Sequence, residues 1–120
     1  MGRRRAFLKV SESDEQIGIL TGFAAQFPGV RIFQIPNGGH RAISVARKMK
    51  QEGVKPGVPD LFIPHWRLWI EMKTRGGGRL SRDQRDWIEY LTGIGYTVIV
   101  GMGAEDASRQ VLEWLKSRKG

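Results

Sequence analysis

Asp60, Glu71 and Lys73 are the residues of this chain whose types and spacing can do chemistry. Asp60 sits in Gly57-Val58-Pro59-Asp60-Leu61-Phe62-Ile63, and Glu71 and Lys73 follow in Leu68-Trp69-Ile70-Glu71-Met72-Lys73. Both segments read as strands: they are short, rich in β-branched, aromatic and aliphatic residues, and bounded by Gly or Pro. Burying two carboxylates and an ammonium in apolar strands is costly unless they pair with one another or bind a cation. A salt bridge of Asp60 or Glu71 with Lys73 satisfies the first condition, and a metal site the second.

Geometry brings the three together if the strands form a hairpin. With His65 and Trp66 in a tight turn, Pro64 pairs with Arg67, Phe62 with Trp69 and Asp60 with Glu71, placing the facing Cβ atoms about 5 Å apart. His-Trp is not a favoured two-residue turn, so a slightly shifted register stays open. Lys73, two residues beyond Glu71, leaves its strand on the same face.

The elements that must hold this hairpin are legible around it. Residues 1–10, with Arg3, Arg4, Arg5 and Lys9, form a flexible basic arm, and residues 11–120 a single domain. Ser11 or Ser13 N-caps a helix to about Gln26, with Ile17, Leu20, Phe23, Ala24 and Phe27 on its apolar side. A strand over 30–35 closes at Pro36-Asn37-Gly38-Gly39. A second helix covers Arg41 to Glu52 and exposes Arg47, Lys48 and Lys50. After the hairpin, Thr74 to Arg79 is a mobile loop. A third helix runs from Ser81 to about Thr92 with Trp87, Ile88 and Leu91 inward. Residues 96–100 form a buried strand, and a last helix spans 104–118 with Val111, Leu112 and Leu115 inward. The order α β α β β α β α predicts an α/β fold, a mixed sheet flanked by helices whose last strand is reached by a helical crossover.

Composition bounds the function. At 120 residues the chain is one domain long. Its net charge of +8, from 20 basic and 12 acidic residues, suits a polyanion, because neutralised phosphates release counterions. Cys is absent, which excludes disulfides, Cys-ligated zinc and thiol catalysis. No apolar stretch approaches the ~20 residues of a membrane span, and no signal-peptide core follows the basic start, so a cytoplasmic or nucleoid-facing protein is expected.

Asp60, Glu71 and Lys73 stand in the order and context of the PD-(D/E)XK nuclease motif. The flanks are more specific. Ser11-Glu12 with Gln16, Pro36-Asn37-Gly38-Gly39, the run from Gly53 to Leu61, Trp69-Ile70-Glu71-Met72-Lys73-Thr74, Leu80-Ser81-Arg82-Asp83-Gln84 with Trp87, and Gly95-Tyr96 together resemble the VRR-NUC (virus-type replication-repair nuclease) family, from about residue 11 to residue 115. The similarity is to its compact standalone phage or bacterial members. The resemblance implies a restriction-endonuclease-like αβββαβ core and a metal-dependent endodeoxyribonuclease. It also implies Mg²⁺ or Mn²⁺ held by Asp60, Glu71 and the Met72 carbonyl, with Lys73 working on the attacking water. It further implies a homodimer cutting four-way (Holliday) junctions, with flaps, forks or duplex as other substrates and an inactive DNA-binding module of the same fold as the main rival.

Four further assignments accompany it. Glu12 occupies the family's first-helix acid position at the metal, with Glu15, one turn along, as its competitor; an ordinary first-turn acid is the alternative. Gln84 is either the third helical residue of a capping box on Ser81, or a family glutamine aimed at the active site, or both. Asn37, His40 and Arg41, with Arg47 and Lys48, are candidate DNA contacts, though Asn-Gly-Gly is equally turn chemistry. Arg75 and Arg79 bracket a glycine loop without the Lys-Ser/Thr ending of a P-loop, so a DNA contact is expected there and no nucleotide cofactor. Neither His40 nor His65 has metal-like spacing. The four tryptophans are assigned to packing.

Overall fold

The computed structural model describes residues 11–36 and 42–119. Among them it contains α1 (Glu12–Gln26), β1 (Phe33–Gln34), α2 (Ile43–Gln51), β2 (Leu61–Ile63), a 3₁₀ turn (Pro64–Trp66), β3 (Leu68–Lys73), α3 (Arg82–Gly93), β4 (Thr97–Met102) and α4 (Ala104–Lys119). This is the expected element order. The basic arm at 1–10 and the Asn37, His40 and Arg41 assignments fall outside the described residues.

The strands form one sheet in the order β1-β2-β3-β4. β1 with β2 and β2 with β3 are antiparallel. β4 runs parallel to β3: Thr97 N donates to Arg67 O and Gly103 N to Lys73 O, so both strands advance together. The sheet is therefore mixed, as the sequence predicts.

The chain resolves into two compact units. One comprises β1, α2, β2, β3 to Glu71, α3 and β4 to Ile99. Its core is Leu61, Ile63, Leu68 and Ile70, all 0% exposed, with Leu91 and Ile99. These four hairpin residues share one face of the strands, and Asp60, Phe62, Trp69 and Glu71 alternate onto the other. β1 is shorter than the 30–35 expected, because Val30 N turns back to Phe27 O and only Phe33 and Gln34 pair with Phe62 and Leu61. α2 starts two residues later than predicted and buries no side chain. Of the three residues placed inward on α3, only Leu91 is buried.

The other unit contains α1, residues 72–78 and residues 100–120. α1 packs on α4 through Ile19, Phe23, Ala107 and Val111, all buried. The apolar side expected on α1 is rotated: Ile17 is 59% exposed, and the buried row is Glu15, Ile19 and Phe23, spaced by four. Gly101 is required where β4 meets α4, since a Cβ there would lie 2.4 Å from that of Ala107. Asp106 fastens the same junction. Its carboxylate accepts Met102 N at 2.8 Å, and that bond first, then those from Arg109 and Gln110, holds its pKa below the ordinary value. Among the described residues no helix is long and apolar enough to cross a membrane.

Candidate active site

Asp60 is delivered by the irregular run that begins at Gly53. Gly57 has φ +88°, where glycine is favoured. It also lies against the first turn of α3, with a virtual Cβ 2.5 Å from the Asp83 carbonyl carbon. Pro59 is buried, and the Asp60 carbonyl accepts Ile35 N at 2.8 Å, tying the residue to the β1 side of the sheet.

The hairpin pairs Ile63 with Leu68, Phe62 with Trp69 and Leu61 with Ile70. Asp60 lies just outside β2, and continuing the same register by one residue would bring it opposite Glu71. The turn differs from the tight two-residue form: Pro64–Trp66 is a 3₁₀ turn closed by Arg67 N to Pro64 O, with Arg67 left-handed at φ 53°. Asp60 is half-buried, and Glu71 is 2% exposed. Lys73 is 8% exposed and leaves the unbroken β3 strand on the side that Glu71 uses.

Gln84 plays both roles weighed for it. Its Nε2 donates to Glu71 Oε2 at 3.0 Å. Its Oε1 accepts Ser81 N at 2.8 Å, while its own backbone N donates to Ser81 Oγ at 3.1 Å. Because Oε1 is committed to the cap, the amide can present only its NH₂ to Glu71. Replacing Gln84 by Glu separates the roles, since glutamate is equally at home in a capping box. Should the site hold a metal and hydrolyse DNA, Gln84→Glu is expected to lower cleavage about 10–100-fold, the usual size for groups that orient a metal ligand. It should also lower Tm in EDTA, because a carboxylate then faces buried Glu71. Kinetics and a melting curve check both, and a role as cap alone would leave both at wild-type values.

A second cluster lies within the α1–α4 unit. Glu15, 3% exposed, accepts Arg75 Nε at 3.0 Å through Oε2 and Ala104 N at 2.9 Å through Oε1. It thereby caps α4, whose own cap position, Gly103, has no side chain to do so. Gly103 N donates to Lys73 O at 2.7 Å, and a Cβ on Gly103 would meet Arg75 Cγ at 2.8 Å. The loop after β3 closes on Lys73, with a Gly78 Cβ falling 3.7 Å from Lys73 Cδ. Glu12, by contrast, is exposed in the first turn of α1. The dual anchoring by Glu15 escaped the sequence reading, since its partners lie 60 and 89 residues away.

The cationic candidates are at the surface. Arg47 and Lys48 are exposed on α2, Arg79 is exposed, and the Arg75 side chain is 65% exposed despite its bond to Glu15.

The donors fit a hard cation. Asp60 and Glu71 offer two carboxylates, and Mg²⁺ is usually held by one or two carboxylates while keeping several waters. Among the described residues no three or more His, Cys, Asp or Glu side chains gather into a fuller cage. Main-chain, water and substrate oxygens must therefore complete the shell.

Comparison with known proteins identifies the family and the fold. The model of the VRR-NUC domain matches residues 18–105. A solved VRR_NUC domain protein is similar over 90% of each chain, at 27% identity and a TM-score of 0.74. No curated protein matches the chain.

Proposed function

The chain belongs to the VRR-NUC family, and from that premise we propose that it is a metal-dependent, structure-selective DNA endonuclease that hydrolyses phosphodiester bonds. The observation that supports this most is the hairpin register, Leu61 with Ile70 and Phe62 with Trp69, whose continuation would bring Asp60 and Glu71 to one face.

Hydrolysis is an in-line attack of water on phosphorus. Asp60, Glu71 and the Met72 carbonyl would hold a divalent cation, Mg²⁺ or Mn²⁺. Such an ion would supply Lewis acidity toward the phosphoryl oxygens and a lowered pKa for water. Lys73 directs an ammonium at the attacking water and at the charge growing on the phosphoryl oxygens. Gln84 keeps Glu71 in one orientation. Arg47, Lys48, Arg75 and Arg79 neutralise backbone phosphates, and Asn37, His40 and Arg41 are assigned contacts to phosphates or a base edge near the cut. Glu12 was assigned to the metal from family position. Burial favours Glu15 as the structured acid of α1, and its contacts give it the work of holding Arg75 and the start of α4.

The substrate follows from the family resemblance: a four-way junction. Cutting both of its strands takes two active sites, so the enzyme acts as a two-fold homodimer. The test presents labelled junction, fork, flap and plain duplex at matched salt, with and without Mg²⁺ or Mn²⁺. Cleavage is expected only with the cation and best on the junction. Binding without cleavage under both cations would instead identify a DNA-binding module. Cleavage of flap or duplex at the junction's rate would remove the junction assignment alone.

A further inference from the structure

The outer face of the hairpin carries more than its acids. Phe33 on β1, Phe62 on β2, Trp69 on β3 and Tyr96 just before β4 form a continuous row of rings across the sheet. Phe33 meets Phe62 edge-on at 5.9 Å between centroids, and Phe62 lies against Trp69 at 4.2 Å and 32°. Trp69 meets Tyr96 at 6.2 Å, and the Arg67 guanidinium sits 4.2 Å above the Tyr96 ring. All of these residues belong to the unit that contains Asp60 and Glu71.

The row is graded in exposure. Phe62, Trp69 and Tyr96 are half-buried, whereas Phe33, on the edge strand, is 46% exposed. α3 is tied to the strands at both ends: Gln84 bonds Glu71 at its start, and Leu91 O accepts Tyr96 N near its finish. Phe33 keeps one flank against Phe62 and leaves the rest of its ring to solvent.

We propose that the open end of this row, centred on Phe33, is a stacking subsite for an unpaired nucleobase adjacent to the scissile phosphate. The inference rests on the nuclease reading above and specifies its substrate: DNA with at least one unstacked base beside the cut. Three observations carry it. Phe62 and Trp69 lie two residues along their strands from Asp60 and Glu71, about 7 Å, and Phe33, paired with Phe62, stands one strand spacing of about 5 Å further out, a reach that suits a base next to the phosphate at the acids. Arginines flank the row, Arg67 on Tyr96 and exposed Arg31 two residues before Phe33, giving charge complementary to a phosphate backbone. An aromatic ring offers stacking to any base without reading its sequence, as an enzyme selecting structure over sequence requires.

Binding measured in EDTA isolates the subsite from catalysis. The probes are a duplex with a short single-stranded gap and a fully paired duplex of equal length, followed by fluorescence anisotropy with wild type, Phe33→Ala and Phe33→Tyr. Phe33→Ala is expected to weaken gapped-DNA binding roughly 5- to 100-fold, as for the loss of one stacked base, while leaving paired-duplex affinity unchanged and lowering Tm by only a few degrees. Phe33→Tyr should restore the gapped-DNA binding. A 2-aminopurine in the gap should be quenched by wild type and not by Phe33→Ala. Equal loss on both DNAs, or an unquenched 2-aminopurine with wild type, overturns the subsite. So does conversion of a dimer to a monomer by Phe33→Ala in sedimentation, which would make the row a contact between two copies of the chain. The nuclease reading is separable: Mg²⁺-dependent cleavage that survives with no gapped-DNA preference removes only the stacking subsite, and absent cleavage with preference intact removes only the hydrolytic role.

Discussion

Asp60→Asn is expected to reduce Mg²⁺-dependent cleavage by about 10³-fold or more while leaving DNA affinity and folding intact. The magnitude follows from what the side chain does: removing one charge that stabilises a metal-assisted transition state costs on the order of 10²–10³-fold, and here the same charge also holds the cation. The separation from stability follows from position. Asp60 is half-buried, and its fold contact to Ile35 is made by its carbonyl, which asparagine keeps. Asparagine is also nearly isosteric with aspartate, so without metal Tm should change little. Lys73→Ala should match the activity loss but not the stability result, because a buried alkyl stem is lost with the ammonium. Cleavage rates, anisotropy in EDTA and melting curves on the three proteins make the comparison. An Asp60→Asn enzyme within tenfold of wild type would remove the cation site from the hairpin.

The hairpin was legible in the sequence because two independent constraints agree on it. Leu61, Ile63, Leu68 and Ile70 must share the buried face, and a one-residue slip would turn all of them outward. That requirement fixes Phe62 opposite Trp69 however the turn is made, which is why the register holds although the connection is a 3₁₀ turn with a left-handed Arg67. Local chemistry also sufficed for the Ser11 cap of α1 and the Ser81 box of α3.

What local pattern could not supply is long-range. A glutamate in the first turn of a helix is an ordinary surface residue by every nearby cue, so nothing near Glu15 announces its burial against Arg75 and Ala104. The rotation of α1 has the same origin: Ile17 and Ile19 are equally apolar, and only packing on α4 selects Ile19. The ring row was missed for a related reason. Taken alone Trp69 reads as a packing residue, and only the alignment of the strands sets it in a row with Phe33, Phe62 and Tyr96.

Gly57→Ala is expected to damage the protein more than any other single methyl group considered, and the site with it. The new carbon would stand 2.5 Å from the Asp83 carbonyl carbon and 2.7 Å from its oxygen and Cβ. Most of those atoms are helix backbone, not the yielding tip of a side chain, so α3 itself must move. The left-handed dihedral adds about 1–2 kcal/mol, and overpacking typically 1–3 kcal/mol. Together these correspond to a Tm loss on the order of 10 °C for a chain of this size. Movement of the first turn of α3 also withdraws the Gln84 amide from Glu71, since that bond starts one residue beyond Asp83. Activity measured well below the new Tm should therefore fall as in Gln84→Glu. Gly53→Ala is the matched control. Its φ of +101° carries a comparable dihedral cost, yet nothing lies within 4 Å of the added carbon. Gly53→Ala should lose only the dihedral part of the Tm and none of the activity. Equal losses from the two substitutions would mean that Gly57 serves only its turn, and that the approach of α3 to the Asp60 segment does not position Glu71.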